Sequence, residues 1–181
     1  MIPEPSGPAR DGATGGAPNG APGPTSGPAS GDETTAAAPG EPEALDTARR
    51  FVDAVAWGEH RTVWDLLGRE GRATVLRIAV NRGMSEALSA RLRDGTTSQG
   101  EEHEFLTDLV NGLRADLAGT DLDSLIFDIE PGPVEPERLH VMLSSPVHAN
   151  LGVAGLPVGT IELVELDGRW AVERLLPRAK R

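Results

Sequence analysis

The chain has 181 residues, no cysteine and a formal charge of −11. The missing thiols exclude disulfides, thiolate metal sites and a cysteine nucleophile. An acidic chain without a basic stripe repels phosphate backbones, so nucleic acid is not an expected partner, and no run approaches the roughly 18 apolar residues of a membrane span.

Residues 3–42 contain no Leu, Ile, Val, Phe, Met or Trp, and residues 1–42 hold 9 Gly and 9 Pro. Such a segment has nothing to bury against an ordering cost of roughly 1–2 kcal/mol per residue, and is expected to be a disordered tail. It lacks the pattern of a secretory or organelle-targeting leader, so a soluble, cytoplasmic protein is the default expectation. One base and five acids give the tail −4; 16 bases and 23 acids give residues 43–181 a charge of −7. The basic end, Arg174, Arg178, Lys180 and Arg181, is too small to reverse that. High Ala, Gly, Arg and Pro with the single Lys180 suggests a GC-rich, bacterial genome. Residues 43–181 are long enough for one domain that needs no covalent staples.

The first helix is expected from about Pro42 to Trp57, with proline in its first turn and Glu43 and Asp46 on the dipole's positive end. Leu45, Ala48, Val52 and Val55 make its apolar face, with Phe51 beside it. Gly58 ends it. A second helix, about His60 to Leu67, carries Val63, Trp64, Leu66 and Leu67. A third, about Ala73 to Asn81, ends near Gly83. Ser85 caps a short helix to about Arg93, closed by Gly95. Ser98 and Glu101 have the spacing of a capping box. The longest helix follows to about Ala118, with a seam of Leu106, Leu109, Leu113 and Leu117 and Phe105 alongside. Gly112 falls in its middle, which implies a close neighbour or a bend.

Strands follow. Leu125, Phe127 and Ile129 alternate with polar and apolar neighbours, as do Leu139, Val141 and Leu143. Residues 131–136 read as a loop, and Pro146 to Pro157 as a loose Gly/Pro-rich stretch. Asp167-Gly168 lies between two alternating runs and signals a hairpin. A three-residue loop pairs Leu166 with Trp170, Val164 with Val172 and Glu162 with Arg174, placing Trp170, Val172, Val164 and Leu166 toward the helices. A two-residue loop sets Glu162 against Glu173, which like-charge repulsion disfavours. The expected class is α+β: helices packed on one curved antiparallel sheet of about four strands.

Few residues suggest chemistry by spacing. Glu101-Glu-His-Glu104 lacks the fifth-place histidine of a zinc helix, and adjacent helical residues point apart, so the run is expected to be a helix N-terminus rather than a metal site. Asp121-Leu-Asp123 lacks the rest of a calcium loop. His140 shares a strand face with Met142, and His148 has no evident partner. No glycine-rich phosphate loop occurs. Neither metal nor cofactor is expected.

Helices followed by a sheet ending Glu165-Leu-Asp-Gly-Arg-Trp-Ala-Val-Glu-Arg174, with the opening Ala48-Arg-Arg-Phe-Val-Asp-Ala-Val-Ala-Trp-Gly-Glu-His60 and Val63-Trp-Asp-Leu-Leu67, resemble the nuclear transport factor 2-like superfamily. This group includes ketosteroid isomerase and the SnoaL-like polyketide cyclases. The resemblance implies a cone, a bent sheet wrapped around helices with an apolar pocket at its open end. Four strands where the family usually has five or six, and extra helix over residues 72–92, imply a smaller or partly filled pocket. In the dehydratase branch a His–Asp pair does acid/base work, which maps onto His60 with Asp53 or Asp65. The isomerase branch polarises a carbonyl with a tyrosine, and this chain has none. Trp57, Trp64 and Trp170, with Phe127, become candidate pocket residues at the cone's mouth.

Fold does not choose an activity. The leading expectation is a non-catalytic module of this superfamily that binds a small apolar ligand or a protein partner, with a homodimer through the outer face of its sheet. The alternative is a small cofactor-independent lyase or isomerase using His60 and an aspartate.

Overall fold

The structure is a computed structural model that describes residues 40–131, 137–147 and 155–178. Outside the described residues lie the tail up to residue 39, most of the loop at 131–136, His148, Lys180 and Arg181. Five helices pack with a four-stranded antiparallel sheet in an α+β arrangement. The helices are α1 (Glu41–Trp57), α2 (His60–Leu66), α3 (Arg69–Asn81), α4 (Glu86–Asp94) and α5 (Gln99–Asp116). A 3₁₀ turn at Leu122–Ser124 leads into β1 (Ile126–Ile129), β2 (Arg138–Pro146), β3 (Gly155–Leu166) and β4 (Arg169–Pro177), which follow one another in space in chain order.

Local signals set the helix ends. Ser85 accepts a hydrogen bond from the Leu88 N–H, and Ser98 and Glu101 form the reciprocal capping box. Gly58 and Gly95 close α1 and α4 in the left-handed conformation. α1 lies against all four strands and buries Ala44, Ala48, Phe51, Val52 and Val55. On α5, Val110 is fully buried, while Leu109 and Leu113 only rim the core. Leu106 and Leu117 of the expected seam are buried, with Phe105 alongside, and Val110 replaces Leu109 between them. A Cβ at Gly112 would meet nothing within 4 Å outside its own helix backbone among the described residues, so close packing does not explain that glycine.

The sheet departs from expectation in two places. β3 begins at Gly155, inside the stretch that composition marks as loose, and pairs with the end of β2 across a bulge at Leu143/Ser144. A Cβ at Gly155 would stand 2.9 Å from the Ser145 carbonyl oxygen, so this glycine marks close strand approach rather than a loop.

The hairpin turn is the two-residue one. Asp167 (φ 53°) and Gly168 (φ 72°) both take positive φ, the demand of a turn that matches the twist of its strands. Leu166 therefore faces Arg169, and Leu163 faces Val172. A bulge then places one extra residue, Glu173, on β4 and restores Glu162 opposite Arg174. The like-charge conflict is relieved by the bulge instead of by a longer loop. The inward set is accordingly Ile161, Leu163 and Val172, while Leu166 is 42% exposed and Val164 only partly buried.

Candidate functional site: a two-histidine cleft beside an exposed tryptophan

α1 ends at a fixed corner. From α5, Arg114 reaches back so that its Nε donates to the Val55 carbonyl (2.9 Å) and its Nη2 to the Ala56 carbonyl (2.7 Å). These are the carbonyls a helix C-terminus leaves unpaired, and a cation also suits the dipole there. The Glu59 N–H returns to the Ala54 carbonyl at 2.8 Å. With the last turn held and Gly58 reversing the chain, Trp57 points outward at 74% exposure.

α2 starts immediately after this corner. Its core anchor is Trp64, which meets Phe105 of α5 edge to face (centroids 5.6 Å, 88°) and is covered by the Arg72 guanidinium at 5.2 Å. This contact lays the start of α2 beside the start of α5. Between them opens a surface cleft of about 690 Å³ lined by Glu59, His60, Arg61, Thr62, Gln99, Gly100, Glu102, His103 and Leu106. His60 and His103 face each other across it, ring centroids 5.7 Å apart and planes at 66°. Neither imidazole has a hydrogen-bonding partner among the described residues. Arg61 forms ion pairs with Glu102 and, at 3.4 Å, with Asp65. Arg91 pairs with Glu101, and the Ser98 backbone N–H, with its hydroxyl, holds the Glu101 carboxyl below the usual range.

The other candidates are dispersed. Asp53 and Asp65 are exposed and neither lines the cleft; among the described residues no hydrogen bond or ion pair joins either to His60. Trp64 is core, and Trp170 is half-buried against Gly40 at the start of α1. Phe127 is part-buried beneath the Arg49 guanidinium at 5.7 Å. No ring contact joins the three tryptophans among the described residues. The space between helices and sheet holds Phe51, Val55, Val63, Val110, Leu143 and Ile161, each less than 2% exposed.

Two further polar groups stand out. On the sheet's outer face Glu162 sits between Arg138 (2.6 Å) and Arg174 (3.7 Å), with His140 3.9 Å from Glu130. Glu173, the bulge residue, is turned toward α3. Its carboxyl lies at the helix start formed by Gly68 and Gly71, and its Oε2 is buried with no hydrogen-bond partner among the described residues. Burial pushes its pKa up; the Gly71 N–H opposes this, the neighbouring Glu70 and Glu162 add to it, and Arg138 lowers it.

Residue spacing could not reveal His103 as a partner of His60. The side chains of Glu101–Glu104 diverge around one helix, and the facing pair comes from two helices 43 residues apart in the chain. Among the described residues no three His, Asp or Glu side chains are grouped to hold a metal ion, and no helix is long and apolar enough to cross a membrane. Compared with protein-family models, curated proteins and solved structures, the chain finds no match in any of the three.

Proposed function

We propose that residues 43–181 form a non-catalytic binding module of the nuclear transport factor 2-like kind, whose ligand is a protein partner that docks at the corner between α1 and α2. The observation that carries this reading is Trp57: a large aromatic side chain, 74% exposed, on a helix end braced by Arg114. Tryptophan anchors are enriched among the residues that dominate binding energy at protein interfaces, and a pre-set anchor loses little entropy on docking. The cleft that begins two residues later adds Glu59, Thr62 and Gln99 as polar contacts, and the chain's net charge favours a basic partner.

The packed interior speaks for a protein rather than a small apolar ligand. The lyase or isomerase reading loses support because His60 has no aspartate to orient it and faces an open cleft, where water competes for any proton it moves. A cytoplasmic location belongs to the same proposal. Self-association through the outer sheet face, with its Glu162–Arg174 ladder, is the competing mode.

The test compares the wild-type chain with Trp57→Ala in crosslinking and co-purification from the native cell, with sedimentation of the purified chain alongside. A defined partner captured by the parent and lost from Trp57→Ala supports the reading. Capture indifferent to Trp57, or a stable homodimer that buries the sheet instead, refutes it.

A further inference from the structure

We infer that His60 and His103 are the two protein ligands of a site for a late first-row divalent metal ion of the Zn²⁺, Ni²⁺ or Cu²⁺ class. Imidazole nitrogen is the ligand these ions share a preference for. The spacing fits: with metal–nitrogen distances of about 2.0–2.1 Å and tetrahedral angles, two bound imidazoles have ring centres about 5.2 Å apart. The observed 5.7 Å differs by half an ångström. A small rotation about χ1 closes that gap, and χ2, a soft torsion in histidine, sets which way the ring nitrogens turn.

Three further features agree. Neither ring is engaged in a hydrogen bond among the described residues, so no protein contact must break. The two rings stand on separate helices that the Trp64–Phe105 contact locks side by side, which gives the pair a fixed spacing. Glu59 and Glu102 line the same cleft and make it attractive to a cation, although Glu102 is shared with Arg61. Because no third His, Asp or Glu joins the pair among the described residues, water completes the shell. Affinity is modest, and coordination positions stay open to a ligand from outside the chain. The inference rests on the two imidazoles alone, independently of Trp57 and of any protein partner.

The test uses the full-length chain. Zn²⁺ is titrated calorimetrically into the parent, His60→Ala, His103→Ala and His140→Ala, and Cu²⁺ is followed by electron paramagnetic resonance. The expected result is one ion per chain in the parent and in His140→Ala, loss of that binding in each of the other two variants, and a copper spectrum with two nitrogen ligands. Far-UV circular dichroism confirms that the surface substitutions leave the fold intact. The inference is overturned by no binding at millimolar Zn²⁺, or by binding that survives loss of both His60 and His103. Either outcome leaves the Trp57 reading standing, since that reading is measured without added metal.

Discussion

Two helical glycines in this domain occupy opposite environments, and substituting each by alanine separates packing from backbone propensity. A Cβ at Gly71, in the first turn of α3, would lie 2.6 Å from the Val172 carbonyl oxygen and 3.1 Å from that of Glu173. Reaching an ordinary contact of 3.4 Å requires α3 to withdraw from β4 by about 0.8 Å. That movement lengthens the 2.8 Å bond from the Gly68 N–H to the Val172 carbonyl and loosens the Leu67–Val172 bridge. Overpacking of this sort costs about 1–3 kcal/mol and a weakened hydrogen bond up to about 1 more. The gain in helix propensity, at most about 1 kcal/mol, is smaller in a first turn than in a helix interior. Gly71→Ala is therefore expected to destabilise by about 1–3 kcal/mol. At Gly112, where a methyl meets nothing within 4 Å, only the propensity term operates, and Gly112→Ala is expected to stabilise by about 1 kcal/mol. Urea unfolding followed by tryptophan fluorescence and circular dichroism measures both, with unchanged m values confirming that the surface exposed on unfolding is the same. A Gly71→Ala midpoint equal to or above the parent's would refute the argument that α3 is held against β4 by backbone proximity.

Glu173→Gln keeps the side chain's length and an acceptor for the Gly71 N–H while removing a buried charge, so it is expected to raise stability at neutral pH. The sign of the pH dependence follows from the raised pKa. Between the ordinary value of 4.5 and the raised one, the folded chain holds a proton that the unfolded chain releases. The parent therefore loses stability as pH rises through that window, and denaturant midpoints of the glutamine variant lack that fall. Arg114→Ala removes the two bonds to the α1 carbonyls and is expected to cost about 1–3 kcal/mol, with faster amide exchange in the last turn of α1 as its local signature. Ser98→Ala dismantles the capping box and is expected to cost about 1 kcal/mol, read as a lower thermal midpoint.

The helices were legible because their signals are local. A serine three residues before a glutamate, or a glycine after an apolar face, states its role within one turn of chain. The Asp167-Gly168 turn was equally plain. What escaped depends on partners far along the chain. Asp167 and Gly168 demand a two-residue turn, Glu162 demands Arg174, and a bulge at Glu173 reconciles the two. β3 hid behind Pro157, which is tolerated because, among the described residues, the β4 ladder begins only at Gly159 and asks no N–H of the proline. Of the site, His60 was visible as a histidine at a helix junction. Its companion was not, because no spacing rule links residues 60 and 103; the burial of Trp64 against Phe105, with the Arg61–Glu102 ion pair, brings their helices together.

The bulge in β4 preserves the inside–outside parity of the end of the chain. Alternation means that one inserted position exchanges inside and outside for everything after it. Glu173 escapes that rule because it stands outside the ladder: deleting it would leave Val172 opposite Leu163, Arg174 opposite Glu162 and Leu175 opposite Ile161, whereas drawing it into the ladder would set it against Glu162 and turn Arg174 inward. Homologous chains should consequently tolerate loss of this one residue far more readily than any other change of length in the strand.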